Sequence, residues 1–383
     1  MAEGQNSIWL FTGKKKRLRI EVLTHTNQRR SSRPLGGRYM RIEYEKYNNV
    51  VNPKKKYSAT INDDITLKSF SKKDDKWNTH KNSAISFQNL FANSKSITNH
   101  KWADRINECA NGLNFIYTVK ETTGELEIKL KSANFCHVRH CPICDWRRSL
   151  RAQAMFKNAL PKIIENNPNA RWIFLTLTVP NCHITELRET IKSMNKAWDR
   201  MMKRKGLSFV KGWARKVEVT QEKHRKNYAH PHFHCILQVN ESYFKHKQYL
   251  KKMDWVAYWS KAMKSDILLN VDVRALRKEF NVNDKAITEL LKTFNYSVKA
   301  ENITEGGYSE EWFLEYVEQV HALKFLTSGG SLKNIFKNNN DEEKDEDLIN
   351  VDDSEDPTLN ENDNPQLFFF FKHAQKQYVK KKD

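Results

Sequence analysis

Hydrophobic and polar positions in the middle of the chain follow a succession of strand and helix patterns. A continuous apolar run over 172–179 predicts a strand, and helix-spaced apolar positions over 185–205 predict a helix that ends at Gly206. The pattern then predicts two short strands, a second helix and an alternating strand, at 215–221, 232–239, 247–264 and 267–274. This order predicts an α+β fold, a ferredoxin-like (split β-α-β) antiparallel sheet backed by two helices.

The patterns on either side of this core predict added helices and weakly ordered ends. Helices are expected over 284–299 and 310–326. Residues 1–95 are basic and show little periodicity, which is compatible with a partly ordered DNA-binding arm or with a solvated tail. Beyond residue 338 the chain is acidic and rich in Asn, so we expect disorder there. An aromatic cluster at 367–371 could dock on the domain or on a partner.

Net charge indicates the kind of partner. The 383 residues carry a formal net charge of +20, even though residues 341–363 hold twelve acidic side chains and a single lysine. Such an excess attracts polyanions and gains free energy when their counterions are released, which indicates nucleic acid, with solubility alone as the alternative. A chain of this length also exceeds what one core usually supports, so more than one unit is expected.

Cysteine usage and the lack of long apolar runs bear on location. The first residues have no signal-peptide pattern, and no run approaches the roughly 18 apolar residues that cross a bilayer. We therefore expect a cytoplasmic protein without membrane contact. In that compartment the six cysteines are metal ligands or free thiols rather than disulfides.

Four of the cysteines have the spacing of a structural zinc site. The pattern C-x26-C-x4-C-x2-C is formed by Cys109, Cys136, Cys141 and Cys144. Four thiolates at this spacing suit tetrahedral Zn²⁺. His137 and His140 are rival fourth ligands, and a redox pair is the remaining alternative. A basic helix begins just after the cluster, and its Trp146 is available either to stack on a base or to pack against the zinc module.

Histidines at alternate positions of one predicted strand suggest a second metal site. His232 and His234 project from one face of the strand, while Phe233 projects from the other. On the neighbouring strand Glu218 would supply a carboxylate, with Glu222 as a competitor. His230 would be a third nitrogen ligand or would shape the strand entry. Imidazole with carboxylate suits Mn²⁺ or Mg²⁺, although an isolated His-x-His is more often an ordinary surface or core feature.

A tyrosine on the predicted 284–299 helix is a candidate nucleophile. Tyr296 lies opposite the apolar stripe of that helix, and Glu289 and Lys299 share its side. A nearby metal ion or lysine lowers the cost of forming a phenolate and of accumulating charge on an attacked phosphate. The alternative is an exposed tyrosine without a catalytic role.

Three motifs in order resemble those of plasmid rolling-circle replication initiators of the HUH endonuclease superfamily. They are Phe174-Leu175-Thr176-Leu177-Thr178, His230-Pro231-His232-Phe233-His234 and Tyr296-Ser297-Val298-Lys299, and the cysteine stretch from Phe135 to Arg148 is also similar. The likeness spans about 105–335. It departs from the family at Lys292, where a glutamate that activates water at termination is expected. Glu289 is the nearest substitute, one turn further from Tyr296.

The resemblance implies a metal-assisted nick at a double-strand origin by Tyr296, a 5′-phosphotyrosine adduct and a free 3′-hydroxyl primer. Single-stranded and origin DNA are the implied partners, with a host helicase, a polymerase and a homodimer as further expectations. The predicted segments are a basic N-terminal region, a zinc-knuckle module with a basic helix, an HUH core and an acidic tail, at 1–95, 96–165, 166–338 and 339–383.

Two other functions fit the same residues. A transposase or conjugative relaxase would share the covalent adduct but would differ in biology. A non-catalytic zinc-containing DNA-binding protein would need only the basic surplus and the four cysteines, and it would bind DNA without cutting it.

Overall fold

The structure is a computed structural model, and it describes the residues 6–11, 17–23, 39–43, 65–119, 124, 126–245, 249–276, 309–336, 344, 348–349 and 365–381. The chain divides into two units, Met1–Asn62 and Asp63–Asp383, which are described separately.

The first unit contains a small antiparallel sheet of three strands in chain order. The strands are β1 (Asn6–Phe11), β2 (Arg17–Leu23) and β3 (Tyr39–Glu43). Ile20 of β2 pairs with Ile8 on one side and with Ile42 on the other. Part of the predicted basic arm is therefore strand, because the alternation of Arg and Glu with Leu, Ile and Val in β2 suits a pleated ribbon.

The second unit begins with the elements that surround the four cysteines. They are α1 (Leu67–Phe70), α2 (Lys76–Ala92), α3 (Ile97–Glu108), β4 (Gly112–Val119), β5 (Leu126–Ala133) and α4 (Pro142–Asn166). The central elements follow: β6 (Ala170–Thr178), β7 (Cys182–His183), α5 (Leu187–Met202), β8 (Val210–Gln221), β9 (Tyr228–Asn240), α6 (Lys252–Met263) and β10 (Val271–Ala275). The last described elements are α7 (Glu310–Gln319), β11 (Leu326–Gly330), β12 (Gln366–Lys372) and β13 (Gln377–Lys380).

The central sheet is antiparallel and has the strand order β10-β6-β9-β8-β11, with β7 paired to β9. Helices α5 and α6 cover the face of β9 that carries Phe233, whose ring meets Trp198 and Trp259 at 6.3 and 6.1 Å between centroids. The apolar stripe of α5 is fully buried. The six elements predicted for the core are all present, with shifted boundaries: β8 and β9 each start several residues earlier than their patterns indicated.

The opposite face of the sheet is covered over part of its length by α4. Phe156 and Leu160 of this helix pack with Trp172, Ala214 and Ile236 of three neighbouring strands. Ile236 is two residues beyond His234 on the same face of β9, so the helix covers the sheet next to the histidines.

The predicted helix over 310–326 is shorter in the structure. It ends at Gln319, and Leu326–Gly330 forms the edge strand β11 paired with β8. Glycine makes this pairing possible, because a Cβ on Gly329 would lie 2.6 Å from the ring of Trp213 and Gly330 has a φ of +61°. A short strand with two glycines has little period of its own, which is why the apolar pattern did not separate it from the helix.

The expectation of weakly ordered ends, at 1–95 and beyond residue 338, needs correction for particular segments. Helix α2 buries Trp77, Phe87 and Phe91, although its stretch was assigned to the basic N-terminal region. Strand β12 pairs with β4, giving a second antiparallel sheet of order β13-β12-β4-β5. The terminal aromatic cluster thus docks on the domain. Burial of its alternate side chains offsets the ordering entropy that led us to expect disorder.

Candidate metal centres

The register of the central sheet brings the two histidines and one carboxylate together. Glu218 of β8 pairs with His232 of β9, and His234 is two residues further along the same face. A Glu218 carboxylate oxygen lies 2.9 Å from His234 Nε2 and 3.5 Å from His232 Nε2, and the two Nε2 atoms are 3.1 Å apart. Three donor atoms that converge in this way can hold one metal ion.

The environment of this Glu-His-His group keeps the carboxylate charged. Burial alone would raise the pKa of Glu218, but hydrogen bonds and charge from His232 and His234 together outweigh burial and hold that pKa well below its usual range. All three side chains are partly exposed, so substrate and water can reach the group. An ionised carboxylate and two imidazoles in an open site fit a divalent cation with free coordination positions.

The other two residues proposed as ligands lie beside this group and have different partners. His230 Nδ1 is 2.6 Å from Asn181 Oδ1, and His230 does not join the three converging donors. Glu222, the competing carboxylate, forms an ion pair with Arg225 at 2.7 Å. The structure therefore favours Glu218 over Glu222 and gives His230 the position of a neighbour at the strand entry.

The proposed nucleophile and its companions fall in a part of the chain that cannot be compared with this geometry. Tyr296, Glu289, Lys292 and Lys299 all lie outside the described residues.

The four predicted zinc ligands meet at one buried point. Cys109 follows the end of α3, Cys136 follows β5, and Cys141 and Cys144 stand at the N-terminus of α4. The Cys109 sulfur is 3.7 Å from the sulfurs of both Cys141 and Cys144, and the Cys136 and Cys144 sulfurs are 3.6 Å apart. Hydrogen bonds from the neighbouring thiols hold the pKa of Cys136 well below its usual range. Burial and the neighbouring thiols raise the pKa of Cys141. Four converging sulfurs fit a tetrahedral metal ion, which binds cysteines as thiolates.

The rival histidines are not part of this cysteine group. His140 packs against the rings of Phe313 and Tyr316, at 6.1 and 5.8 Å between centroids, and desolvation lowers its pKa to about 3. The carbonyl of His137 accepts a hydrogen bond from Arg148 at 3.0 Å. Cys182 and Cys235 are also buried away from the cluster, as expected of ordinary thiols.

Comparison with known proteins shows which family the chain belongs to. Residues 127–379 match a family model described as replication protein. A curated protein named Protein rep from Bacillus amyloliquefaciens is 31% identical over 280 residues, which cover 68% of this chain and 80% of the relative. The chain belongs to the replication protein family. A second Protein rep, from a Bacillus species, is 31% identical over 66% of this chain and 85% of its own.

A third relative of this replication protein, Protein rep from Staphylococcus aureus, is 35% identical over 49% of this chain and 80% of the relative. The resemblance to plasmid replication initiators is thereby confirmed. No solved structure matches the chain. Among the described residues, no helix is both long and apolar enough to cross a membrane.

Trp146 and the basic start of α4 serve packing in the replication protein. The Trp146 ring lies 4.8 Å from Trp77 and 4.5 Å from His80, both between centroids, and the side chain is buried. Arg147 donates to the carbonyls of Leu348 and Ile349 at 2.7 and 2.9 Å. Of the two alternatives for Trp146, packing is therefore the one observed, and its ring partners lie on α2.

Two buried lysines beside these centres were not anticipated from the sequence. Lys81 of α2 donates to the carbonyls of Cys109 and Asn107 at 2.7 and 3.2 Å. Lys216 pairs with His234 across the strands, and burial lowers its pKa to about 8 even though Asp145 and Glu218 favour its charged form. Lys216 could have been found from the sequence, because it lies two residues before Glu218 and therefore on the same face of the strand. Lys81 had no such signal, because long-range packing brings it to the cysteines.

Proposed function

We propose that this replication protein is a plasmid rolling-circle initiator that nicks one strand of origin DNA with Tyr296. The observation that carries the proposal is the convergence of Glu218, His232 and His234 on one open face of a sheet, in a member of a replication protein family. A partly exposed carboxylate and two imidazoles that could hold a metal ion, in a strongly basic replication protein, support a role in cutting a DNA strand.

The central sheet supports a ferredoxin-like HUH core. Strands β10, β6, β9 and β8 are adjacent in that order and all antiparallel, with α5 between β6 and β8 along the chain and α6 between β9 and β10. This order supports a split β-α-β unit with both helices on one face. On the other face α4 covers part of the sheet, and the Glu-His-His group beside it stays partly exposed. Strand β11 extends it on the β8 edge.

For the nicking site we propose Mg²⁺ or Mn²⁺, bound by Glu218, His232 and His234. When bound, the ion supplies Lewis-acid polarisation of a backbone phosphate. The Tyr296 oxygen would attack the phosphorus, forming an O–P bond and breaking the bond from phosphorus to the 3′ oxygen. The phenolic proton passes to a base or solvent, and the released 3′ oxygen takes up a proton to become the primer hydroxyl. Lys299 would stabilise the phenolate, and Glu289 would activate water at termination.

For the cysteine group we propose structural Zn²⁺. The four sulfurs are buried and come from the ends of α3 and β5 and the start of α4, so one ion would tie three segments together. Host helicase, polymerase, a homodimer and cytoplasmic location stay predictions of the sequence.

Covalent capture of DNA tests the proposed function. Purified protein is mixed with a labelled single-stranded origin oligonucleotide and Mn²⁺ or Mg²⁺, and a denaturing gel reports a slower protein–DNA adduct. We expect Tyr296→Phe and the double variant His232→Ala/His234→Ala to form no adduct.

Matched controls are Tyr249→Phe and His224→Ala, two exposed residues outside the Glu-His-His group, which are expected to react like the wild type. An adduct formed by the Tyr296→Phe variant would remove Tyr296 from its role. Salt-sensitive binding without any adduct, unchanged by the histidine substitutions, would instead identify a non-catalytic DNA-binding protein.

A further inference from the structure

The sheet formed by β13, β12, β4 and β5 exposes two aromatic rings on one face. Strand β12 reads Gln366-Leu367-Phe368-Phe369-Phe370-Phe371-Lys372, and its side chains alternate between exposed and buried. Leu367, Phe369 and Phe371 face the core, whereas Phe368 and Phe370 are 41% and 46% exposed. Burial in the core explains why Leu367, Phe369 and Phe371 are apolar. The exposed face of an antiparallel sheet is ordinarily polar, so the same reason does not apply to Phe368 and Phe370. The two outward rings therefore need another explanation.

The exposed rings are held against the sheet backbone. Phe370 pairs with Gly112 of β4, and its ring lies over that glycine, where a Cβ would come within 3.3 Å of the ring. Phe368 pairs with Asn114, whose side chain donates to Gln366 at 2.8 Å. Two residues of a strand advance about 6.8 Å, so the rings stand side by side, and each is partly exposed.

Two lysines lie on the same face of the sheet as these rings. Strand pairing places Lys129 of β5 and Lys372 of β12 on the same face as the rings. A third lysine, Lys381, lies next to Phe368, because its backbone N–H donates to the Phe368 carbonyl at 2.7 Å. Glu127 is on this face as well, and its carboxylate is paired with Lys73 at 2.9 Å. Aromatic rings on a four-stranded sheet, bordered by lysines, are the combination by which proteins stack bases of single strands while cations track the phosphates.

We propose that Phe368 and Phe370 form a base-stacking site for single-stranded DNA, separate from the Glu-His-His group. Identification of the strand as DNA rests on the proposed function. A nicked origin releases a single strand, and this face would hold bases of that strand while the Glu-His-His group acts on the phosphate.

Binding without divalent metal isolates the stacking site from the nicking reaction. Anisotropy of a fluorescein-labelled thymidine oligonucleotide is measured in the Tyr296→Phe background at several salt concentrations. Replacing both rings by leucine keeps apolar area but removes the aromatic faces, and we expect affinity to fall about tenfold or more. Replacing both by tryptophan should restore binding, and Tyr249→Leu, at another exposed aromatic residue, should leave binding unchanged.

Photo-cross-linking locates the contact. An oligonucleotide containing 5-iododeoxyuridine is irradiated with the protein, and we expect adducts on the peptide that contains β12. An unchanged affinity for the double leucine variant, or an equal loss for Tyr249→Leu, would overturn the stacking site.

Other occupants of the face give different results. If the acidic segment 341–363 of the same chain, or a second copy of it, covers the rings, β12 gives no cross-link, and the proposal fails. Loss of nicking with the β12 cross-link intact would count against the proposed function alone, whereas loss of the cross-link with nicking intact would count against the stacking site alone.

Discussion

At the scale of single residues, the charge of Glu218 is the feature on which the candidate nicking site depends. We expect Glu218→Gln to lower Mn²⁺ affinity by at least about tenfold, because a neutral amide replaces the only anion among the three donors. Isothermal titration of Mn²⁺ into the protein measures this. Glu222→Gln is the matched control, since that carboxylate pairs with Arg225 instead. Equal losses for the two variants would contradict the assignment.

His80 gives a residue-scale prediction about pH. Burial, with a smaller effect from Lys76, lowers the pKa of His80 to about 4 from 6.5. A histidine with a depressed folded pKa stabilises the fold above pH 6.5 and loses that contribution as pH falls toward 4. Between about pH 7 and pH 5 its share of the unfolding free energy should fall by about 2 kcal/mol.

The measurement compares urea unfolding of the wild type and His80→Phe at both pH values. Phenylalanine can keep the stacked contact with Trp146 but cannot take up a proton. We expect the variant to lose less stability than the wild type on acidification. Parallel losses would show that His80 does not titrate in this range.

At the scale of elements, buried and exposed side chains alternate along β12, so neighbouring residues of this strand should contribute differently to stability. Phe369 is fully buried and meets Phe70 and Phe115 at 6.0 and 5.9 Å between centroids. We expect Phe369→Ala to cost about 3–5 kcal/mol of unfolding free energy, measured by denaturant titration. Phe368→Ala, one residue away on the exposed face, should cost less than about 1 kcal/mol. Similar costs for both would mean that the strand does not lie in this register.

The same scale explains what could be predicted from the sequence. The core strands and helices carry their own periodicity, so their existence and order could be predicted, as could the four-cysteine spacing and the pairing of Glu218 with the His-x-His strand. Helix α2 could not be predicted from the sequence. Its polar residues Asn78 and Lys81 are buried among the apolar ones, so the helix has no clear apolar stripe. Strands β11 and β12 depend on partners that are distant along the chain, which a local pattern does not encode.

At the scale of the whole molecule, the cysteine group should hold much of the second unit together. We expect the wild type to contain one zinc ion per chain by elemental analysis, and Cys141→Ser/Cys144→Ser to contain none and to melt at a much lower temperature. Cys182→Ser, at a cysteine outside the cluster, should keep its zinc. Full zinc content in the double variant would rule out these ligands.

The closing contact of the second unit has a consequence for how the protein is made. Thr66 bridges to Val379, and the Lys380 N–H donates to the Ile65 carbonyl at 2.8 Å. The Tyr378 hydroxyl also donates to the carbonyl of Ala110, next to Cys109, at 2.6 Å. Residues 65 and 66, at the start of this unit, therefore reach these partners only after β13 has been translated. A nascent chain that has not yet been translated through β13 lacks these contacts, so the surroundings of Cys109 are completed only after that strand has been made.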